Sequence, residues 1–265
     1  MEKELIKQSN SVTFSKYKMS GLQINALVCV VNQLQKYIDM NIDWGMSEGK
    51  DYVQYFKLNK DFCFEIPLSI SEVDINYHGK RVISQLNDIT NVTVTYTYID
   101  DDNISHKSVL KPFPYVDIDE NSNIKLSLPI PSLRWILQWC KNTGLTTFDK
   151  KSVLSLKGIY AKRIFQILSS FYKERIFKMK IEKLSDILMT PKYTVQDFER
   201  KVLLPAFNEM ATNQNSRLFF KYKLVSEGKR KTAGRPKRDT VIFKIYDSGN
   251  SESIEEFKTD NFENE

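Results

Sequence analysis

"SLKGIYAKRIFQILSSFYK" occupies residues 155–173 and opens the most regular part of the chain. Its apolar residues recur at intervals of three and four, which predicts an α-helix with one buried face. Ser155 is a favoured N-cap residue, so we expect the helix to begin there. Lys157, Lys162 and Gln166 fall outside the apolar stripe and are expected at the surface. The stripe is made by Leu156, Ile159, Tyr160, Ile164, Ile167, Leu168 and Phe171.

The residues that follow show strand and helix patterns in turn. "IFKMKI" alternates apolar residues with lysines and predicts a short strand, and residues 181–189 predict a short amphipathic helix. "TVQDFERKVLLPAFNEMATN" (194–213) predicts another helix, in which Pro205 removes a backbone hydrogen bond and should cause a bend. Two alternating strands complete the unit at 217–225 and 240–246. This order of elements is that of a winged helix, whose third helix is narrow enough to enter the major groove of DNA.

The loop between the last two strands is strongly basic. "GKRKTAGRPKRD", residues 228–239, holds six cations within the ten residues from Lys229 to Arg238. We interpret the loop as a wing that lies on DNA, although a solvated loop and a nuclear-localisation signal are alternatives. Arg235 lies between a glycine and a proline, which suits an arginine inserted into a narrow minor groove.

Charge is distributed unevenly along the 265 residues, whose formal net charge is +6. Residues 1–150 carry a net charge of −2, residues 151–246 one of +14, and residues 247–265 one of −6. A positive charge concentrated in one third of the chain favours a polyanionic partner such as DNA. The acidic tail has little apolar content, so we predict that it is disordered.

The first half also shows a helix and strand plan. Residues 20–38 and 78–90 predict amphipathic helices, and residues 131–141 predict a closing helix. Short strands are predicted between them, including 62–66, which Pro67 should end. The helix at 78–90 exposes Tyr77, Lys80, Arg81 and Ser84. This face is either a solvated helix surface or a second DNA reader.

Several kinds of site are not supported by the sequence. The two histidines, His78 and His106, and the three cysteines are scattered, so no zinc motif is present and no disulfide framework is expected. There is no phosphate-binding loop, and the histidines do not form the His-x-His motif of a nicking enzyme. No apolar run is long enough to span a membrane, and the N-terminus lacks a signal peptide. We therefore expect a cytoplasmic protein that has no cofactor, no metal, no membrane partner and no catalytic activity.

Two stretches resemble the C-terminal winged helix of iteron-binding plasmid replication initiators. The first has the pattern Tyr160, Ala161, Arg163, Ile164, Phe165 and Leu168, and the second has Phe198, Arg200, Val202, Leu203, Pro205, Ala206 and Glu209. The resemblance implies an α+β fold of two tandem winged-helix domains with small antiparallel sheets. We expect an N-terminal domain at 1–145, a C-terminal DNA-binding domain at 146–247 and the acidic tail at 248–265.

The resemblance also implies a function. Monomers are expected to bind direct repeats in double-stranded origin DNA, and homodimers to repress the protein's own promoter. A host replication initiator and a helicase are the further partners implied.

Particular residues are expected to contact DNA. Arg200 is the candidate for reading a guanine, a bidentate contact worth ~1–3 kcal/mol of discrimination. Lys192, Tyr193 and Lys201 are candidates for phosphate contacts, and Arg163 has either a phosphate or a structural role. Asp197 and Asn208 share the exposed face of the predicted helix. The remaining candidates are Lys80, Arg81 and Ser84 in the first half and Lys229, Arg230, Lys231, Arg235, Lys237 and Arg238 in the wing.

Three alternative functions remain open at this stage. A winged-helix transcription regulator would bind DNA without initiating replication. A rolling-circle nicking initiator would cleave origin DNA with a metal. A binder of single strands or RNA would prefer these over duplex DNA.

Overall fold

The computed structural model describes residues 4–41, 52–74, 78–99, 104–121, 123–137, 144–227 and 238–262. It divides into two compact units, Met1–Lys150 and Lys151–Glu265. The division lies five residues beyond the expected boundary at 145, because residues 145–149 form a strand that belongs to the first unit. This strand pairs antiparallel with residues 5–9 in a two-stranded sheet that the sequence did not predict.

The first unit combines one long helix with small antiparallel sheets. Its described helices and strands are β1 (Leu5–Ser9), α1 (Asn10–Thr13), β2 (Lys16–Tyr17), α2 (Gly21–Asn41), a 3-10 turn (Tyr52–Tyr55), β3 (Cys63–Leu68), α3 (Ile70–Val73), α4 (Gly79–Asn87), a 3-10 turn (Asp88–Asn91), β4 (Val94–Ile99), β5 (Ser105–Leu110), β6 (Tyr115–Ile118), β7 (Ile124–Pro129), α5 (Ile130–Leu137) and β8 (Leu145–Asp149).

Helix α2 supplies much of the core of the first unit. The predicted apolar stripe is confirmed, since Ile24, Leu27 and Leu34 are fully buried. Two three-stranded sheets have the orders β2-β4-β5 and β3-β7-β6. Pro67 does not end β3 as predicted, because β3 is an edge strand and tolerates a proline there, with Pro67 opposite Lys125 on β7.

The second unit has the order of elements predicted from the sequence, with one addition at its end. Its described helices and strands are α6 (Lys150–Ser155), which starts at the boundary, α7 (Ile159–Ser169), β9 (Ile176–Lys180), α8 (Ile181–Ile187), α9 (Val195–Phe198), a π-helical segment (Glu199–Leu203), α10 (Leu204–Thr212), β10 (Leu218–Val225), β11 (Thr240–Asp247) and α11 (Ser251–Thr259).

The core of the second unit lies between its helices and one face of a three-stranded sheet. The strand order is β10-β11-β9, and both pairings are antiparallel. Phe243 on the central strand has its ring centroid 5.3 Å from that of Phe220 and 6.1 Å from that of Phe177. On the helix side, Phe207 of α10 lies edge-on to Phe220 at 6.0 Å. This is a winged-helix arrangement, with β10 and β11 as the hairpin that carries the wing.

The helix predicted over 155–173 is interrupted. α6 ends at Ser155, and α7 begins after Gly158, which takes the N-cap position that we expected for Ser155. Lys162 and Gln166 are buried instead of exposed, because neighbouring elements enclose α7 on all sides. The Lys162 ammonium donates hydrogen bonds to the carbonyls of Val153 and Leu154 at 2.6 and 3.5 Å. The lysine thereby satisfies carbonyl groups in the last turn of α6.

Residues 195–212 form one continuous helical rod, here called the recognition helix. A bend was expected at Pro205, and the structure shows a π-helical segment just before this residue. There the N–H of Leu204 donates to the carbonyl of Glu199, five residues earlier. α10 then restarts with Pro205 in its first turn, where a missing N–H costs little.

The expectation that the acidic tail is disordered is wrong for its described part. Residues 251–259 form α11, whose first turn is capped by the Asn250 side chain accepting from two backbone N–H groups. Phe257 packs against Phe219 and Tyr246, with ring centroids 4.6 and 5.1 Å apart. The low apolar content of the tail gave no indication of this aromatic contact. The packing also explains why Phe219 is buried on the sheet face that alternation predicts to be wet.

Candidate nucleic-acid interface

The recognition helix presents one polar face to solvent. Phe198, Val202, Ala206 and Met210 are buried, as their spacing predicts. Arg200, Lys201 and Asn208 are exposed on the other side. Thr194 caps the start of the helix, where its hydroxyl accepts from the N–H of Asp197 at 3.1 Å. The cap and the buried stripe therefore fix which side chains the helix can offer to a ligand.

Asp197 organises the cations of this face. Its Oδ1 accepts a hydrogen bond from Arg200 Nη2 at 2.9 Å and lies 3.2 Å from Lys201 Nζ. Arg200 and then Lys201 hold the pKa of Asp197 below its usual value. The Arg200 side chain remains 72% exposed, so its other guanidinium nitrogens stay accessible. An arginine presented in this way is suited to the bidentate recognition of a guanine edge.

Tyr193 extends the cationic face toward α7. The Lys201 ammonium lies 4.8 Å from the centroid of the Tyr193 ring, a cation–π contact. Burial is the main cause that raises the pKa of Tyr160 on α7, and the nearby Tyr193 is the second. Lys192 is exposed next to Tyr193. The structure thus brings Lys192, Tyr193 and Lys201 together at the start of the recognition helix.

Leu204 is a residue of this face that the sequence patterns did not identify. It lies four residues after Arg200 and four before Asn208, and 42% of it is exposed. An exposed leucine on this face can contact the methyl group of a thymine. Its spacing from Arg200 and Asn208 puts Leu204 on the same face of the helix. Leu204 also adjoins the buried stripe, however, so the sequence alone does not show that it is exposed.

Glu209 ties the recognition helix to the start of α7. Its Oε2 accepts a hydrogen bond from the Gly158 N–H at 2.9 Å, and its Oε1 also accepts from the Lys157 N–H. A Cβ added at Gly158 would lie 2.6 Å from Glu209 Oε2, so a larger residue there would displace this carboxylate. The carboxylate at the N-terminal end of α7 also compensates its helix dipole.

The base of the wing is held by Asp239. Its carboxylate accepts hydrogen bonds from Lys180 Nζ at 2.6 Å and from the Glu227 N–H at 3.1 Å, and these lower its pKa to about 2. The Asp239 N–H donates to the carbonyl of Val225 at 3.0 Å, which continues the hairpin by one step. Arg238 is exposed. The predicted wing contacts Lys229, Arg230, Lys231, Arg235 and Lys237 lie outside the described residues.

Arg163 is not part of the exposed surface, which corrects one predicted DNA contact. Only 2% of it is accessible, and its Nη1 lies 3.5 Å from Gln166 Oε1. A DNA phosphate cannot reach a guanidinium group that is buried to this extent. Of the two roles considered for Arg163, the structure supports the structural one.

The first unit keeps its three candidates together on α4. Lys80, Arg81 and Ser84 are exposed, while Val82 and Leu86 on the other side of the helix are buried. Ile83, expected inside, is only partly covered, and Tyr77 lies outside the described residues. The face holds two cations, so its geometry alone does not distinguish a DNA reader from a solvated helix.

The described part of the chain shows neither a cluster of metal ligands nor a membrane-spanning helix. No group of three or more His, Cys, Asp or Glu residues in the described segments could hold a metal ion. None of the helices described is both long enough and apolar enough to cross a membrane.

The chain matches known families over most of its length. Residues 5–169 match the family described as Initiator Replication protein, WH1, and residues 180–243 match the one described as Initiator Rep protein, WH2. These matches confirm the predicted fold of two tandem winged helices.

Two solved structures align with the chain at low sequence identity, and the first has a similar fold. The Pi initiator protein, solved in complex with iteron DNA, is 11% identical to this chain with a TM-score of 0.62; the alignment covers 94% of this chain and 100% of that one. Domains 2 and 3 of RctB are 9% identical, with 84% and 80% covered and a TM-score of 0.41. No curated protein sequence matches the chain.

Proposed function

Because this chain belongs to the initiator replication protein family, we propose that it initiates plasmid replication by binding iteron repeats in double-stranded origin DNA. The observation that carries this proposal is the exposed face of the recognition helix, where Asp197 presents Arg200 and Lys201 to solvent. The Pi initiator, with which the chain shares its fold, was solved with iteron DNA.

Base reading is assigned to the recognition helix. An α-helix fits the major groove of duplex DNA, and an arginine that donates two hydrogen bonds to one guanine distinguishes it from the other bases. Arg200 is the group for that contact, because its guanidinium is the most outward cation of the rod. Asp197 limits the positions that Arg200 can take, which reduces the entropy cost of binding.

Phosphate contacts are assigned to the residues around this centre. Lys192, Tyr193 and Lys201 lie at the start of the helix, and the six cations of the wing stand in the sequence between β10 and β11. Contacts of this kind fix the register of the protein on DNA but do not read its sequence. Lys80, Arg81 and Ser84 on α4 are proposed as a second contact surface of the first unit.

Other parts of the proposal rest on the family alone. They are dimers that repress the protein's own promoter, recruitment of a host initiator and a helicase, a cytoplasmic location, and the absence of catalysis. The strands of the first unit are the candidates for the dimer interface.

The proposed function is tested by replication of a minimal plasmid. The gene and its flanking DNA are placed on a plasmid without any other replication gene. We expect the wild-type protein to maintain this plasmid and Arg200→Ala to lose it. Lys173→Ala removes another exposed cation, outside the recognition helix, and is the control.

Loss of the plasmid with both variants would show a general dependence on charge. Retention of the plasmid with Arg200→Ala would remove Arg200 from the proposed site. Failure of the wild-type protein, together with binding to the promoter DNA, would favour a transcription regulator.

A further inference from the structure

The outer face of the second unit's sheet carries a group of lysines, here called the lysine face and defined as Lys221, Lys223 and Lys244. Lys221 on β10 lies directly opposite Lys244 on β11, and Lys223 follows Lys221 on the same side of the strand. Two strands that place like charges opposite each other lose stability unless a counter-charge is present. The face therefore requires an anionic partner.

In the structure that partner is α11. Lys244 forms an ion pair with Glu256 at 2.9 Å and a closer one with Asp260. The Lys221 ammonium donates to the backbone carbonyl of Asp260. Arg175, which precedes β9, lies 3.5 Å from Glu256. Glu256 of α11 and Asp260, which directly follows the helix, thus each meet a cation.

Aromatic contacts complete the cover. Phe257 packs on Phe219, its ring lies 5.1 Å from the Lys221 ammonium, and the Phe262 ring lies 4.7 Å from the Lys223 ammonium. The hydroxyl of Tyr246 donates to Asp260 at 2.7 Å. The acidic helix therefore occupies the lysine face with both charges and rings.

The lysine face lies on the two strands that flank the wing in the sequence. Lys221, Lys223 and Lys244 lie on β10 and β11, the two strands that the six cations from Lys229 to Arg238 connect. The strands that flank the basic wing thus also carry cations on their outer side, and α11 with Asp260 lies against these cations. The carboxylates of Glu256 and Asp260 pair with Lys244 on this outer side, where a nucleic acid would bring its phosphates.

We propose that the lysine face is a second surface for the phosphate backbone of duplex DNA, and that α11 is an acidic cover that competes with DNA for it. This inference goes beyond the proposed function, since it concerns binding to any duplex and not the reading of repeats. Partly exposed ion pairs are individually weak and are screened by salt. A duplex brings a dense row of phosphates and gains free energy from counterion release, so it is able to displace the carboxylates.

The test compares two pairs of charge-neutralising substitutions in α11. Glu256→Gln with Asp260→Asn removes the carboxylates that face the lysines. Glu252→Gln with Glu255→Gln changes the net charge equally, at exposed positions of the same helix. Dissociation constants are measured at several salt concentrations with a duplex that contains no repeat.

We expect only the first pair to strengthen binding and steepen the salt dependence. If the uncovered lysines neutralise about two further phosphates, the slope of the logarithm of the binding constant against the logarithm of the salt concentration changes by ~0.9 for each. The advantage over the wild type then grows about tenfold between 200 and 50 mM salt. Adding Lys221→Gln and Lys244→Gln to the first pair should abolish the gain in affinity. An equal effect of both pairs, no effect of either, or a gain that persists without the lysines would overturn the proposal.

A second measurement uses only the wild-type protein, so it does not depend on whether a variant folds. Hydrogen exchange at residues 251–259 should accelerate when the repeat-free duplex is added in excess. Unchanged exchange at saturating DNA would show that α11 remains in place and would also overturn the proposal. Repeat binding through Arg200 is measured separately, so failure of this inference leaves the proposed function standing.

Discussion

Arg200 and Asp197 lie three residues apart on the recognition helix, and Arg200 Nη2 donates a hydrogen bond to Asp197 Oδ1 at 2.9 Å. The pair is local to the helix, so the protein presents its candidate base reader in a defined position before DNA arrives. The acid beside it has a further effect, because a carboxylate close to a DNA surface repels phosphates that are wrongly placed.

The first prediction concerns Asp197→Asn. This change removes the charge that holds Arg200 and Lys201, so binding to unrelated duplex should strengthen while discrimination falls. The ratio of dissociation constants for repeat and scrambled DNA is the measurement, and we expect it to shrink by roughly tenfold, about 1.4 kcal/mol. An unchanged ratio would show that Asp197 does not position Arg200 for reading.

The second prediction concerns Leu204 and thymine methyl groups. If Leu204 contacts one of them, replacing that thymine by uracil should weaken wild-type binding by roughly fourfold, since a buried methyl-sized group is worth ~0.8 kcal/mol. Each thymine of the repeat is replaced in turn. The Leu204→Ala variant should respond to none of the replacements, whereas Ile176→Ala, an exposed apolar residue on β9, should behave like the wild type. A uracil penalty that persists in Leu204→Ala would assign the methyl contact to another residue.

The third prediction concerns the contact between Glu209 and Gly158. Glu209→Gln replaces charge-assisted hydrogen bonds to two backbone N–H groups by weaker neutral ones. We expect the free energy of unfolding to fall by about 1–2 kcal/mol, since hydrogen bonds to charged groups contribute more than neutral ones. Denaturant unfolding measures this, with Glu182→Gln on the exposed side of α8 as the control. Equal stability of the two variants would mean that Glu209 does not fix the recognition helix to α7.

The fourth prediction concerns the wing. We expect weaker salt dependence of repeat binding when the six wing cations are replaced by glutamine. The slope of the logarithm of the binding constant against the logarithm of the salt concentration should fall by about 1 for each phosphate that the wing no longer neutralises. The six cations are Lys229, Arg230, Lys231, Arg235, Lys237 and Arg238. Base preferences should change little, apart from positions where Arg235 enters the minor groove. A slope equal to that of the wild type would place the wing away from DNA.

The sequence predicted the second unit well because its elements are strongly periodic. Alternation identified β9, β10 and β11, and spacing identified the buried side of the recognition helix. It misjudged α7, where Lys162 and Gln166 are buried because neighbouring elements surround the helix. A periodic pattern predicts which side of a helix is buried only when the other side is exposed to solvent.

The errors elsewhere have a common physical reason. β1 and β8 pair although they lie far apart in the sequence, with Leu5 opposite Asp149, and local patterns do not record such partners. The order of α11 depends on Phe257 meeting Phe219 and on carboxylates meeting Lys244, so the low apolar content of the tail was misleading. Arg163 matched a family pattern, but a match does not show which side of a helix is covered.

The central claim is that Arg200 reads a base within the repeat. The most direct measurement is the binding of wild-type protein and of Arg200→Ala to repeats in which every base pair is substituted in turn. We predict that Arg200→Ala loses its preference at one or two adjacent positions and keeps it at the others, at a cost of ~1–3 kcal/mol for the original sequence. A uniform weakening at every position, with the wild-type pattern of preferences retained, would contradict the claim and reduce Arg200 to a phosphate contact.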